Sequence, residues 1–154
     1  MHLDLPEAAC ADTIALLRAR LADAFDLAAR LKQAYWTATD SSSCERRELF
    51  EACHDEIDEC VDSLARRIAA LSGVAECRIR AKALERSRHR YPLRRSRGEQ
   101  LETAIRMVLA RFSRAVRADI NQAAELGDAA TVDVLGGVSR KVDTQLWVTE
   151  ARLL

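Results

Sequence analysis

Glycine and proline are scarce in this chain, five and two in 154 residues, and so are aromatic side chains, at 5%. So few turn formers exclude the many short strands and tight turns of a β-sandwich, and abundant Ala, Leu and Arg favour long helices with short connections. No apolar run approaches the ~20 residues of a membrane span. The start, Met1 to Glu7, has no basic stretch followed by an apolar core, so a secretory leader is not expected and the chain reads as cytosolic. Five cysteines (Cys10, Cys44, Cys53, Cys60, Cys77) form no CxxC pair, which argues against a disulfide framework or a zinc site and for reduced thiols. A 49% hydrophobic content is enough for one core, so a single domain over residues 1–154 is expected.

What is present is helical periodicity. After Pro6, Ile14, Leu17, Leu21, Phe25, Ala28, Leu31 and Tyr35 recur at three- and four-residue steps, predicting a helix from Glu7 to about Ala38. The polar run Thr39 to Ser43 breaks it, and a serine there can cap a second helix carrying Phe50, Cys53, Ile57, Val61, Leu64, Ile68 and Leu71, ending at Ser72-Gly73. A third face, Leu101, Ile105, Val108, Phe112, Val116, Ile120 and Ala124, begins after Gly98 and ends at Gly127. Asp128 can cap the last helix, with Val134, Val138, Val142, Leu146 and Trp147. The expected architecture is all-α: a four-helix bundle with one crossover, holding a short extra helix or loop, between helices two and three.

The even balance of 24 basic and 24 acidic residues conceals an asymmetry. Between positions 78 and 97 lie Arg78, Arg80, Lys82, Arg86, Arg88, Arg90, Arg94, Arg95 and Arg97 against the single acid Glu85, leaving 15 basic and 23 acidic residues elsewhere. Clustered arginines neutralise phosphates and release counterions, so this crossover is a nucleic-acid-binding candidate. The alternative is a solvated loop whose arginines pair with the acidic remainder of this or a neighbouring subunit.

Several segments together resemble the DNA-protection-during-starvation (Dps) family of miniature ferritins: Lys32-Gln33-Ala34-Tyr35-Trp36, Leu71-Ser72-Gly73-Val74, Tyr91-Pro92-Leu93, Gly127-Asp128 with Thr131 and Asp133, and Ser139-Arg140 through Leu146-Trp147 with Glu150. The resemblance runs from about Thr13 to the end. It implies a ferritin-like bundle, a homo-oligomeric twelve-subunit shell built from dimers, and ferrous iron oxidised with peroxide at sites shared between two subunits and then stored. It also implies stress protection of DNA and a cytoplasmic location, at the bacterial nucleoid where DNA is held. The lysine-rich N-terminal tail of some relatives is missing, so DNA contact would rest on the crossover arginines.

Position by position, the family's ligand set is largely exchanged. Tyr35 and Arg47 stand in place of its two histidines and Arg66 in place of a glutamate, while Glu51 and Asp62 keep carboxylates. Asp40 and Ser43 replace the usual glycine and phenylalanine. Iron needs nitrogen or oxygen lone pairs, and a guanidinium offers none and stays cationic. A conventional ferroxidase centre is therefore not expected, and the exchange suggests charge pairs, Arg47 to Asp62 and Arg66 to Glu51, across a dimer axis. Two alternatives remain open: an active ferroxidase at an altered site, supported by Glu51, Asp62 and the Glu51-x-x-His54 step, or a silent subunit in a mixed shell with a second Dps chain. Asp55, Asp58 and Glu59 extend an acidic stripe that would equally line a cavity. Asp133 matches a family position at acidic three-fold pores, though the helix dipole also explains it. Trp36 and Trp147 are expected to pack, and Cys53 and Cys60 to be buried, inert thiols.

Overall fold

The computed structural model describes residues 5–38, 43–75 and 98–151. They form four helices, α1 (Glu7–Thr37), α2 (Ser43–Ala70), α3 (Glu99–Glu125) and α4 (Ala129–Ala151), and no other regular element. The crossover, with its extra helix or loop, its nine basic candidates and Tyr91-Pro92-Leu93, lies outside the described residues.

The helices form a square in which α1 packs on α2 and α3, and α4 packs on α3 and α2. Arg46 at the start of α2 pairs with Glu102 at the start of α3, so these two helices begin at the same end and run parallel. Successive α2 and α3 therefore need a connection that returns along the bundle, ~40 Å for a helix of α3's length. The core runs the full length, with Leu17, Leu21, Leu27 and Leu31 from α1, Phe50, Ile57, Leu64 and Ile68 from α2, Leu101, Ile105 and Leu109 from α3, and Leu135 from α4. The apolar series expected for α2 is buried throughout, from Phe50 to Leu71. In α3 the final buried position is Ala123, while Ala124 is exposed, because one residue turns the helix by about 100°.

Helix ends follow local chemistry, with one exchange of roles. Gly127 takes φ 78°, and Asp128 N–H donates to Ala123 O at 3.1 Å, the closing bond of a Schellman turn. The same turn ends α2, where Gly73 N–H donates to Ile68 O at 2.9 Å, but the left-handed residue is Ser72, at φ 62°. Gly73 serves space instead. A Cβ there would lie 2.9 Å from Ile68 Cγ2 and 3.1 Å from Ile14 Cγ2. Gly73→Ala is expected to cost about 1–3 kcal/mol through overpacking at this α1–α2 contact, read as a lower urea midpoint with an unchanged slope. Arg18 holds the exiting chain, its Nε and Nη2 donating to Val74 O at 3.0 and 2.9 Å.

Three inward ion pairs tie helices to one another. Arg20 Nε meets Asp119 Oδ2 at 2.5 Å between α1 and α3, Arg46 Nε meets Glu102 Oε1 at 2.7 Å between α2 and α3, and Arg67 Nη2 meets Asp128 Oδ1 at 2.8 Å between α2 and the head of α4. Burial raises the Asp119 carboxyl above its usual range, and the Arg20 contact offsets only part of that.

Candidate functional site

The five positions matched to the family's ligand set fall into two separated groups. Tyr35, near the end of α1, and Arg47 and Glu51, in the first turns of α2, share one end of the bundle. Asp62 and Arg66 lie 11 and 15 residues beyond Glu51 along α2, or roughly 16 and 22 Å at the helical rise. One protomer does not assemble the set. Among the described residues, no three His, Cys, Asp or Glu side chains converge to hold a metal ion.

Local contacts define what each group does. Arg47 is half-buried, and its Nε donates to Ala38 O at 3.0 Å, so the guanidinium closes the end of α1. Lys32 places its ammonium 5.1 Å from the Tyr35 ring centroid, adding a further cation beside this group. Glu51, Asp62 and Arg66 are exposed and enter no ion pair or side-chain hydrogen bond among the described residues. With Tyr35, Arg47 and Arg66 at three of the five positions, the donor chemistry does not fit iron: two cations stand where two ligands are needed.

His54 is half-buried, with Nδ1 3.2 Å from Ala28 O, so this ring nitrogen is engaged with the α1 backbone. Glu51, Asp55, Asp58 and Asp62 form an exposed acidic stripe beside it. Glu59 is drawn off that stripe: Lys141 of α4 pairs with it and with Glu56, the latter at 2.7 Å. Hydrogen bonding by Lys141 holds the Glu59 carboxyl below its ordinary range. The Lys141 clamp escaped the sequence reading, because nothing local to position 141 marks a partner more than 80 residues away. Asp133 is exposed in the first turns of α4.

Trp36 and Trp147, expected to pack, are each 68% exposed. Their neighbours on α1 and α4 turn inward while the indoles stand outside the protomer's core, so apolar spacing marked the helix but not the face. Cys53 and Cys60 are fully buried, and burial pushes both thiols up to about 11. At pH 7.5, alkylation of the native protein is expected to spare both and to modify exposed Cys44, with Cys53 and Cys60 labelled only after guanidinium unfolding, as peptide mass spectrometry would register.

Four long helices packed in a square, with the successive α2 and α3 parallel, define a ferritin-like bundle. The ferritin-like domain family matches residues 14–153. The DNA protection during starvation protein of Agrobacterium fabrum is 28% identical over 150 residues, covering 97% of this chain and 93% of that relative. Among solved structures, DpsA14 from Streptomyces coelicolor is 28% identical with a TM-score of 0.82, over 97% of this chain and 88% of its own. A Dps protein from Bacillus brevis shares the fold at 20% identity and a TM-score of 0.85, over 97% and 100%. The chain belongs to the ferritin-like family and, within it, to the Dps proteins.

Proposed function

We propose that this chain forms a Dps-type homo-oligomeric shell, a dodecamer built from dimers, that sequesters iron and protects DNA under oxidative or starvation stress, with its ferroxidase centre disabled. The observation that carries the last point is the pair of arginines at positions 47 and 66. Arg47 is committed to the Ala38 carbonyl and Arg66 projects into solvent on the face that keeps only Glu51 and Asp62. A dication is repelled by both guanidinium groups and finds neither an imidazole at position 47 nor a carboxylate at position 66. Iron is then cargo, attracted by the carboxylates of α2, with Asp133 proposed to draw cations inward and His54 left with only the Glu51 step.

DNA is held by the arginines of the crossover. Twelve copies multiply weak phosphate contacts, and the binding weakens steeply as salt rises. Among the described residues no helix is long and apolar enough to cross a membrane, in keeping with a cytoplasmic shell at the nucleoid.

The direct test follows ferric absorbance when anaerobic ferrous iron meets hydrogen peroxide. The expected rate equals that of a protein-free control. Oxidation much faster than the control would overturn the disabled-centre reading. A gel shift with linear DNA across a salt series tests the second half: retention at low salt that is lost toward 0.2 M is expected, and no retention at any salt would exclude DNA as a partner.

A further inference from the structure

α3 carries a second concentration of arginine, on residues the structure describes. Across the sixteen positions from Thr103 to Ala118 stand Arg106, Arg111, Arg114 and Arg117 and no acid. The acids that bracket this run are turned inward and engaged: Glu102 holds Arg46 of α2, and Asp119 holds Arg20 of α1. Arg111 and Arg114 are exposed, Arg106 is half-buried, and all three lack an ion pair or side-chain hydrogen bond among the described residues. Arg117 meets Asp143 of α4 at 2.8 Å but keeps 59% of its side chain exposed. At about 100° per residue, Arg106 and Arg117 fall nearly on one line, ~16 Å apart, while Arg114 and Arg111 step from that line toward the α1 side. The neighbouring helix does not neutralise them. α1 runs antiparallel to α3, and by the Arg20–Asp119 contact its acids level with the stripe are Asp23 and Asp26, which Arg20 and Arg30 of the same helix already engage.

We infer that this acid-free face of α3 is a docking surface for the phosphate backbone of duplex DNA, a second contact independent of the crossover arginines. The inference rests on the DNA-protecting reading above and places part of the contact on a rigid helix. A guanidinium is a planar fork of donors that matches two phosphate oxygens at once, and all four cations of the stripe are of this kind. Along ~16 Å of duplex, one strand presents about five phosphates, enough to meet every arginine of the stripe. α3 is flanked by α1 and α4, so it lies in the wall of the bundle and does not sink into a groove. Its contacts therefore stay on the backbone and carry no base preference.

The composition of the face argues against other polyanions. A single strand is held by stacking its bases on exposed rings, and the one ring of α3, Phe112, is 4% exposed. An acidic protein surface would need an apolar centre to form a stable seam, and Met107 is the only large apolar side chain that α3 exposes. Phosphates in fixed rows need neither.

Fluorescence anisotropy of a labelled linear duplex, titrated with the full chain across a salt series, tests this. Arg111→Gln with Arg114→Gln is expected to weaken binding at low salt by roughly tenfold or more, and to make the plot of log affinity against log salt shallower by about two per contacting chain. Arg111→Lys with Arg114→Lys keeps both charges and is expected to recover most of the affinity. Circular dichroism and sedimentation velocity check that each variant keeps its helices and its oligomeric state, and the single variants, each worth about one unit of slope, serve if the double variant does not fold. A folded Gln variant that binds like the wild type would overturn the stripe as a DNA contact. So would tighter binding of a single strand of the same length, or a helical Gln variant that no longer self-associates, which would make the stripe a contact between copies. Arg94→Gln, Arg95→Gln and Arg97→Gln together separate the two sites: loss in this crossover variant with an unaffected stripe variant removes the stripe alone. A wild type that binds no duplex at any salt removes the DNA reading and the stripe with it.

Discussion

Converting Tyr35→His, Arg47→His and Arg66→Glu together is expected to create peroxide-dependent ferrous oxidation where the wild type shows none above the protein-free rate. The three changes return two imidazole nitrogens and one carboxylate to positions beside the retained Glu51 and Asp62, completing a donor set of the hardness iron prefers. Arg66→Glu also changes the local charge by two units, turning repulsion of a dication into attraction. A gain of roughly tenfold or more over the wild type is the expected result, from the usual cost of perturbing a metal's surroundings. Adding Glu51→Gln to the triple variant is expected to abolish most of the gain. No gain in a variant that still assembles would mean that the surrounding helices, and not the three side chains, had lost the capacity to bind iron.

Removing Asp128 should have the largest effect on stability. Its carboxylate caps α4, accepting from Thr131 N–H at 2.9 Å and from the Thr131 hydroxyl at 2.6 Å. It also accepts Arg67 Nη2 on both oxygens, at 2.8 and 2.9 Å, while Arg67 Nε donates to the Thr131 hydroxyl at 2.8 Å. The side chains of Arg67 and Asp128 are 9% and 2% exposed, so Asp128→Ala strips a cap and leaves a guanidinium buried without its counter-charge. The expected loss is about 3–5 kcal/mol. For a chain of this length that lowers the melting temperature by roughly 10 °C, which thermal unfolding at fixed protein concentration would show. Asp128→Asn keeps a capping acceptor and is expected to lose less.

The same residue sets a pH dependence. Burial would raise the Asp128 carboxyl, but hydrogen bonds from Thr131 and Arg67 outweigh it and hold the group below its ordinary range. A depressed carboxylate contributes its full stabilisation above the unfolded pKa of about 3.9 and loses it as pH falls through the lower folded value. The stability gap between wild type and Asp128→Ala is therefore expected to hold at pH 5–7 and to narrow below about pH 4. A gap that widened on acidification would contradict the geometry.

How much of this was legible in the sequence varies by element. The α2 face was, because Phe50, Cys53, Ile57, Val61, Leu64, Ile68 and Leu71 keep one helical phase and all turn inward. The α4 face was legible only in part. Val138 and Val142 are core, but so are Leu135 and the polar Thr131 and Thr149, while Trp147 faces out. Its apolar residues surround the helix, so periodicity alone does not select a side. At the end of α2 the glycine was visible but its reason was not: Ser72 accepts the left-handed conformation, and Gly73 is needed because α1 approaches there. Which side-chain types stand at positions 35, 47, 51, 62 and 66 was legible directly, since that needs no folding to read. Their separation into two groups along α2 was legible from helical rise, while the Ala38 contact of Arg47 was not.

By itself the sequence determined the helices, most of their ends and the α2 core face, and it puts guanidinium groups, which offer a metal no lone pair, at positions 47 and 66. These depend on properties of each residue and its near neighbours: propensity, capping, spacing and lone-pair chemistry. Only the tertiary structure decided which charges meet. Arg20 with Asp119, Arg67 with Asp128 and Lys141 with Glu56 join residues 61 to 99 positions apart. A charged side chain on a helix has no local preference among distant partners, so its pairing is chosen only when burial of the four apolar faces brings the helices together.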